Sequence, residues 1–154
     1  MTLKGFGLLT VLKKTLTTFP TDLKLLDNVL SWFDLLQPSS VSLKYWLECK
    51  LALAEGFTNA VRHAHRGLPM DELIEIEVTL YTNQLEMRIY DCGPPFDLKA
   101  HLNNLLEKKD NQWAGGGRGL EILQKISDHL SYTRIDDNRN CLLVGKYYEP
   151  VTPD

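Results

Sequence analysis

Apolar residues recur along this chain with two periods. Over residues 22–36, Leu23, Leu26, Leu30 and Phe33 fall three or four apart, which predicts a helix with one apolar stripe. Thr21 stands where that helix needs a cap. The run 8–17 before it is rich in leucine, valine and threonine and predicts a strand broken by Pro20. Pro38, Ser39 and Ser40 predict a turn. A long helix follows over 41–65, stopped by Gly67 and Pro69. The pattern then changes to alternation: Ile74, Ile76, Val78 and Leu80 are separated mostly by acidic residues, which predicts a strand over 73–81. Asn83 and Gln84 turn the chain into a second strand over 85–90, the two forming an antiparallel hairpin.

Asp97 is placed to cap a short helix ending near Leu106. Residues 107–117 are polar and glycine-rich and are expected to form a mobile loop. Leu120, Leu123 and Ile126 restore helical spacing. Two last strands, 129–135 and 141–148, flank a polar turn, and the tail from Pro150 is expected to fray. There is no internal repeat and no linker. The whole chain, 1–154, is therefore expected to be one domain with a core over about 41–148. Its fold class is an α+β two-layer sandwich, with a mixed, largely antiparallel sheet and helices on one face.

Composition changes this picture little. With 154 residues, 44% hydrophobic and 24% charged, the chain is long enough to bury a core and ordinary for a soluble protein. A formal net charge of -3 argues against nucleic acid as a direct partner, because phosphates require a basic excess. Three scattered cysteines suggest a reducing compartment, and no segment resembles a signal peptide or a membrane span. The cytoplasm is the expected location.

Three short motifs carry the chemistry. In Glu55-Gly56-Phe57-Thr58-Asn59-Ala60, the carboxylate and the amide lie one helical turn apart on one face. Leu47, Leu51, Ala54 and Val61 flank that face on one side, and Trp46, Leu53, Phe57, Ala60 and Ala64 on the other. A carboxylate hemmed in this way suits proton transfer, and an amide oxygen suits Mg²⁺. In Asp91-Cys92-Gly93-Pro94-Pro95-Phe96-Asp97, the carboxylate ends a strand. It can accept from the exocyclic amine of adenine, and Gly93 leaves room for a flat base. Asp-x-Gly-Pro is also ordinary turn chemistry. In Gly115-Gly116-Gly117-Arg118-Gly119, a glycine run enters a helix. Its N–H groups suit phosphate, as does Arg118. Each motif alone is weak. Other constellations fail: Gly145-Lys146 lacks the rest of a phosphate-binding loop, and His63 and His65 read as a pair of surface histidines.

In combination and in this order, the three motifs resemble the nucleotide-binding domain shared by the gyrase, Hsp90, histidine kinase and MutL ATPases (the Bergerat or GHKL fold). The resemblance is closest to the small bacterial anti-sigma factor serine/threonine-protein kinases, and it covers about residues 41–148. It implies that ATP and Mg²⁺ are the cofactors. Glu55 would be the general base for an acceptor serine, Asn59 the Mg²⁺ ligand, Asp91 the adenine acceptor with Gly93 beside it, and Gly117 and Gly119 phosphate-contacting lid residues. Gly115, Gly116 and Arg118 complete the expected nucleotide contacts. Two departures stand out: Pro94-Pro95 replaces a glycine common in the superfamily, and Trp113-Ala114-Gly115 replaces an arginine often found before the lid glycines. The implied activity is phosphorylation of a small antagonist protein by an anti-sigma regulator. The implied partners are a sigma factor or similar regulator and that anti-anti-sigma-type antagonist, and homodimers are common among relatives. The alternative is a nucleotide-gated module that sequesters a regulator with little catalysis. A sensor histidine kinase is disfavoured, because the sequence shows no histidine-bearing hairpin ahead of the domain.

Overall fold

Alternation becomes a five-stranded sheet in the computed structural model, which describes residues 10–107 and 118–151. Its strands are β1 (Val11–Pro20), β2 (Leu73–Tyr81), β3 (Gln84–Asp91), β4 (His129–Arg134) and β5 (Asn140–Tyr147). They are ordered β1-β2-β3-β5-β4, and among the described residues every neighbouring pair is antiparallel. The register places Ile76 opposite Ile89 and Ile89 opposite Leu142. One face thus carries Ile74, Ile76, Val78, Met87, Ile89, Leu142 and Val144, all buried. The other face carries Glu77, Glu86 and Arg88, joined by ion pairs. A sheet with one apolar and one charged face must be covered on the apolar side only.

The cover is α1 (Leu26–Asp34), α2 (Leu43–Asn59) and α4 (Gly119–Ile126), with α3 (Leu98–Glu107) following β3. Ser42 caps α2 by accepting from the Tyr45 N–H at 3.2 Å. Phe33 of α1 stacks on Trp46 of α2 with ring centres 4.2 Å apart, and the indole N–H donates to Asp34 at 3.0 Å. This contact fixes α1 against α2 while satisfying the one polar group of the buried Trp46. Tyr45 and Tyr148 tie the far end, donating to the carbonyls of Lys146 and Tyr81.

Four local expectations change. The first strand continues through Pro20, which pairs with Leu73. β1 is an edge strand, where a missing N–H is tolerated. Asp22, not Thr21, caps the first helical turn, a 3-10 turn over Leu23–Leu25, by accepting from the Lys24 N–H. Thr21 is buried and its hydroxyl is used elsewhere, as described below. Leu47 and Leu51 are surface residues, 52% and 43% exposed, so that flank of the Glu55 face meets solvent at those two positions while Val61 packs against the core. The long helix does not stay α to its end. After Asn59 it widens into a π turn, Ala60–Ala64, closed by the His65 N–H on the Ala60 carbonyl at 2.8 Å. Such turns recur at functional sites, because one extra residue re-aims the side chains that follow.

Candidate functional site

Helices α2 and α4, the loop after β3 and strand β4 enclose a cavity of about 480 Å³. That is within the range of small-molecule sites. Glu55 and Asn59 both line it, as their one-turn spacing requires, and Arg118 and Gly119 line the side contributed by α4. Glycine at 119 has a specific reason. A Cβ there would lie 2.7 Å from Oε2 of Glu55, so only a residue without a side chain lets that carboxylate rest against the start of α4. The helix N-terminus favours negative charge at this place.

Asp91 ends β3, as the sequence reading expects, and its carboxylate is bonded within the protein. It is 2% exposed and is not part of the cavity wall. Oδ1 accepts from the Gly93 N–H at 2.9 Å and from Asn140 Nδ2 at 2.8 Å, and Oδ2 accepts from the Tyr132 hydroxyl. Tyr132 is the residue that meets the cavity, with its ring edge-on to Phe96 at 5.8 Å. Burial, then the bond to Asp91, pushes the phenol well above its ordinary range, so it remains protonated. The loop after Asp91 is braced from β4 and β5. Asn140 Nδ2 also reaches the carbonyls of Gly93 and Pro94, both at 3.1 Å, and Arg134 Nη1 donates to the Gly93 carbonyl at 2.7 Å. These bonds hold a turn in which Pro94 and Pro95 have no N–H to offer.

Gly93 packs against protein. A Cβ there would stand 2.4 Å from the Ala64 carbonyl oxygen and 2.9 Å from its carbon, so the loop after β3 touches the backbone of the π turn. Beside this contact lies His65, 2% exposed rather than on the surface as expected. The Cys92 N–H donates to its Nε2 at 2.9 Å. Thr21 donates its hydroxyl proton to the Glu72 carbonyl at 2.6 Å, so its oxygen accepts from His65 Nδ1–H at 2.7 Å. Both ring nitrogens are thus satisfied in the neutral form. Burial lowers the His65 pKa below its ordinary 6.5, against the opposing pull of Asp91 and Glu72.

Arg62, His63 and His101 also line the cavity, and reading the sequence for motifs passed over their roles. Arg62 was within reach of that reading, since steps of four and three from Glu55 through Asn59 lead to it on one helix face. His101 and Tyr132 arrive from elements whose packing no local pattern specifies. Gly115, Gly116, Gly117 and Trp113 lie outside the described residues.

The donor set fits Mg²⁺ held largely by a substrate. Glu55 and Asn59 offer hard oxygens one turn apart on the cavity wall, and among the described residues no group of three His, Cys, Asp or Glu forms a cage. Mg²⁺ characteristically uses one or two protein oxygens together with phosphates and water. Among the described residues no helix is long and apolar enough to cross a membrane.

The serine-protein kinase RsbW of Listeria monocytogenes serovar 1/2a is 31% identical to this chain over 87 residues, 54% of this chain and 55% of the relative. Its counterpart from Bacillus pumilus is 32% identical over 88 residues, 54% of each. That of Staphylococcus epidermidis is 27% identical over 88 residues, 54% of this chain and 55% of the relative. The chain spans about half the length of the curated relatives it matches. Residues 19–146, which run from the end of β1 into β5 and include every described wall of the cavity, match the histidine kinase-like ATPase domain, and the chain belongs to that family.

Proposed function

We propose that this chain is an ATP-dependent protein serine/threonine kinase of the anti-sigma type. It would bind a sigma factor or similar regulator and phosphorylate a small antagonist protein. Membership of an ATPase-domain family implies nucleotide use, and the similarity to proteins named serine-protein kinase points the transfer toward a protein hydroxyl. The observation that carries the catalytic reading is Glu55. Its carboxylate faces the cavity one turn before Asn59 and against the first residue of α4.

In this reading a bound Mg²⁺ would supply charge neutralisation for the phosphates. Asn59 would hold it from the protein side, and Arg118 and the first turn of α4 would face phosphate oxygens. Glu55 takes the proton from the acceptor hydroxyl as its oxygen bonds to the terminal phosphorus and the bond to ADP breaks. The nucleobase lies toward Tyr132 and Phe96, where Asp91 sets the polarity of the wall.

A module that only binds nucleotide has no need of a carboxylate at that place, and this separates the proposal from its alternative. Glu55→Gln keeps shape and removes the base. ADP formation in a single-turnover experiment, with water as acceptor, is expected to fall about 10²–10⁴-fold while ATP affinity stays near that of the parent. An unchanged rate would remove Glu55 from the mechanism and leave the binding module as the better reading. Capture of partners with and without ATP, followed by phosphosite mapping, would identify the acceptor.

A further inference from the structure

We propose that His65 is a positioning residue for the nucleotide site. Its neutral ring holds the peptide that follows Asp91, so protonation of His65 and binding of nucleotide oppose one another. This rests on the nucleotide reading above and adds a regulating group to it.

The contact lies directly behind the cavity wall. Ala64 and Pro94 both line the cavity, and their neighbours in the chain meet each other. Gly93 packs on the Ala64 carbonyl, and the Cys92 N–H donates to His65 Nε2 at 2.9 Å. Cys92 joins Asp91 to Gly93, whose N–H in turn donates to Asp91 Oδ1 at 2.9 Å. Holding the Cys92 N–H therefore fixes the turn in which the Asp91 carboxylate sits. Arg134 and Asn140 hold the carbonyls of that turn, and His65 holds its N–H side.

The partners dictate the tautomer. The Cys92 N–H can only donate and the Glu72 carbonyl can only accept, so Thr21 gives its proton to Glu72, receives that of Nδ1, and leaves Nε2 bare. A proton added at Nε2 would set two donors against each other at hydrogen-bond distance. The ring is 2% exposed, so water does not relieve the clash. It is tied to Thr21 at one end and, through its backbone N–H, to Ala60 at the other. The peptide after Asp91 is what shifts.

The charged groups around the ring do not rescue its protonated form. Burial disfavours that form and outweighs the pull of Asp91, at the end of β3, and of Glu72, ahead of β2. Burial also pushes the Cys92 thiol up, which keeps it neutral. Asp22, beside Thr21, uses its carboxylate on the Lys24 N–H. On the π turn itself Arg62 and His63 face the cavity, and Arg66 after it is exposed. Nucleotide affinity is then full above the folded pKa of His65 and falls as pH drops through it, approaching tenfold per pH unit below. Reciprocally, bound nucleotide lowers that pKa.

The test uses ADP with Mg²⁺. In the parent, the NMR signals of the His65 ring give its pKa with and without saturating ADP. A fall of about one unit is expected, the counterpart of tenfold weaker binding by the protonated form. Phosphate charge alone would raise the value, so a rise or no change overturns the proposal without any variant and regardless of how variants fold. Calorimetry between pH 7.5 and 5 should show affinity falling more steeply in the parent than in His65→Gln, whose amide oxygen accepts from the Cys92 N–H at every pH. The titration of the nucleotide's own phosphates is common to both. At pH 7.5 His65→Gln should bind within about threefold of the parent, and His65→Leu at least about tenfold more weakly. Equal pH profiles in the parent and His65→Gln, or full affinity in His65→Leu, overturn the proposal. Failure of ADP to bind the parent at pH 7.5 overturns the nucleotide reading itself, an outcome distinct from the others.

Discussion

Gly119→Ala separates the fold from the chemistry with one methyl group. The new Cβ would lie 2.7 Å from Oε2 of Glu55, where ordinary contact begins at 3.4 Å, so the carboxylate must retreat by about 0.7 Å. The atom that gives way is the far end of a flexible side chain, and the backbone is not forced to move. Alanine is meanwhile the better helix former, by up to about 1 kcal/mol in a helix interior and less in a first turn. Stability should therefore stay level or rise, by at most about 4 °C in Tm. The rate should fall. A misplacement near 1 Å at a reacting group costs about 10²-fold, which sets the expected loss at about 10–10²-fold. Thermal melting and single-turnover ADP formation read the two effects separately, and ATP titration checks that binding survives. The double variant with Glu55→Gln should be no slower than Glu55→Gln alone, because both act through one carboxylate. A full rate in Gly119→Ala, or losses that multiply in the double variant, would refute the argument.

Gly93→Ala should behave in the opposite way, because its Cβ would meet the Ala64 backbone at 2.4 Å and nothing there is a flexible tip. A loss of about 1–3 kcal/mol or more is expected in denaturant unfolding, and a variant as stable as the parent would contradict the contact. His65 predicts a pH dependence of stability. Its pKa is lowered in the folded chain relative to the ordinary 6.5, so the unfolded chain binds the proton first. The stabilisation is present above about pH 6.5 and is lost as pH falls through that value toward the folded pKa, with a slope of up to about 1.4 kcal/mol per pH unit. Urea titrations from pH 7.5 to 5 should show this decline in the parent and a shallower one in His65→Gln. Equal slopes would argue against a neutral, buried His65.

The layers of the fold were legible because their patterns are local. Alternation in β2 and β3 and the stripe in α2 follow from facing one core, and Glu55 and Asn59 share a wall because of helical spacing alone. What local pattern cannot carry is partnership across the chain. Asp91 reads in sequence as an acceptor at a strand end, but its bonds to Asn140 and Tyr132, 49 and 41 residues away, leave no local signature. His65 reads as a surface residue because nothing nearby shows that Thr21 and Cys92 meet it. The π turn that turns His65 inward leaves no signature in residue types either, since alanine, valine and arginine serve an α-helix equally well. Gly119 is the mixed case. Its place at a helix start was visible, but its closeness to Glu55 depends on how α4 packs on α2.

Titration calorimetry of the parent with ATP and with GTP, each with and without Mg²⁺, bears most directly on the account as a whole. The cavity beside Glu55 and Asn59 predicts binding of ATP that strengthens with Mg²⁺. Asp91, the adenine acceptor that the resemblance implies, predicts that GTP binds at least about tenfold more weakly. Equal affinity for the two nucleotides, or affinity indifferent to Mg²⁺, would contradict the site as described here.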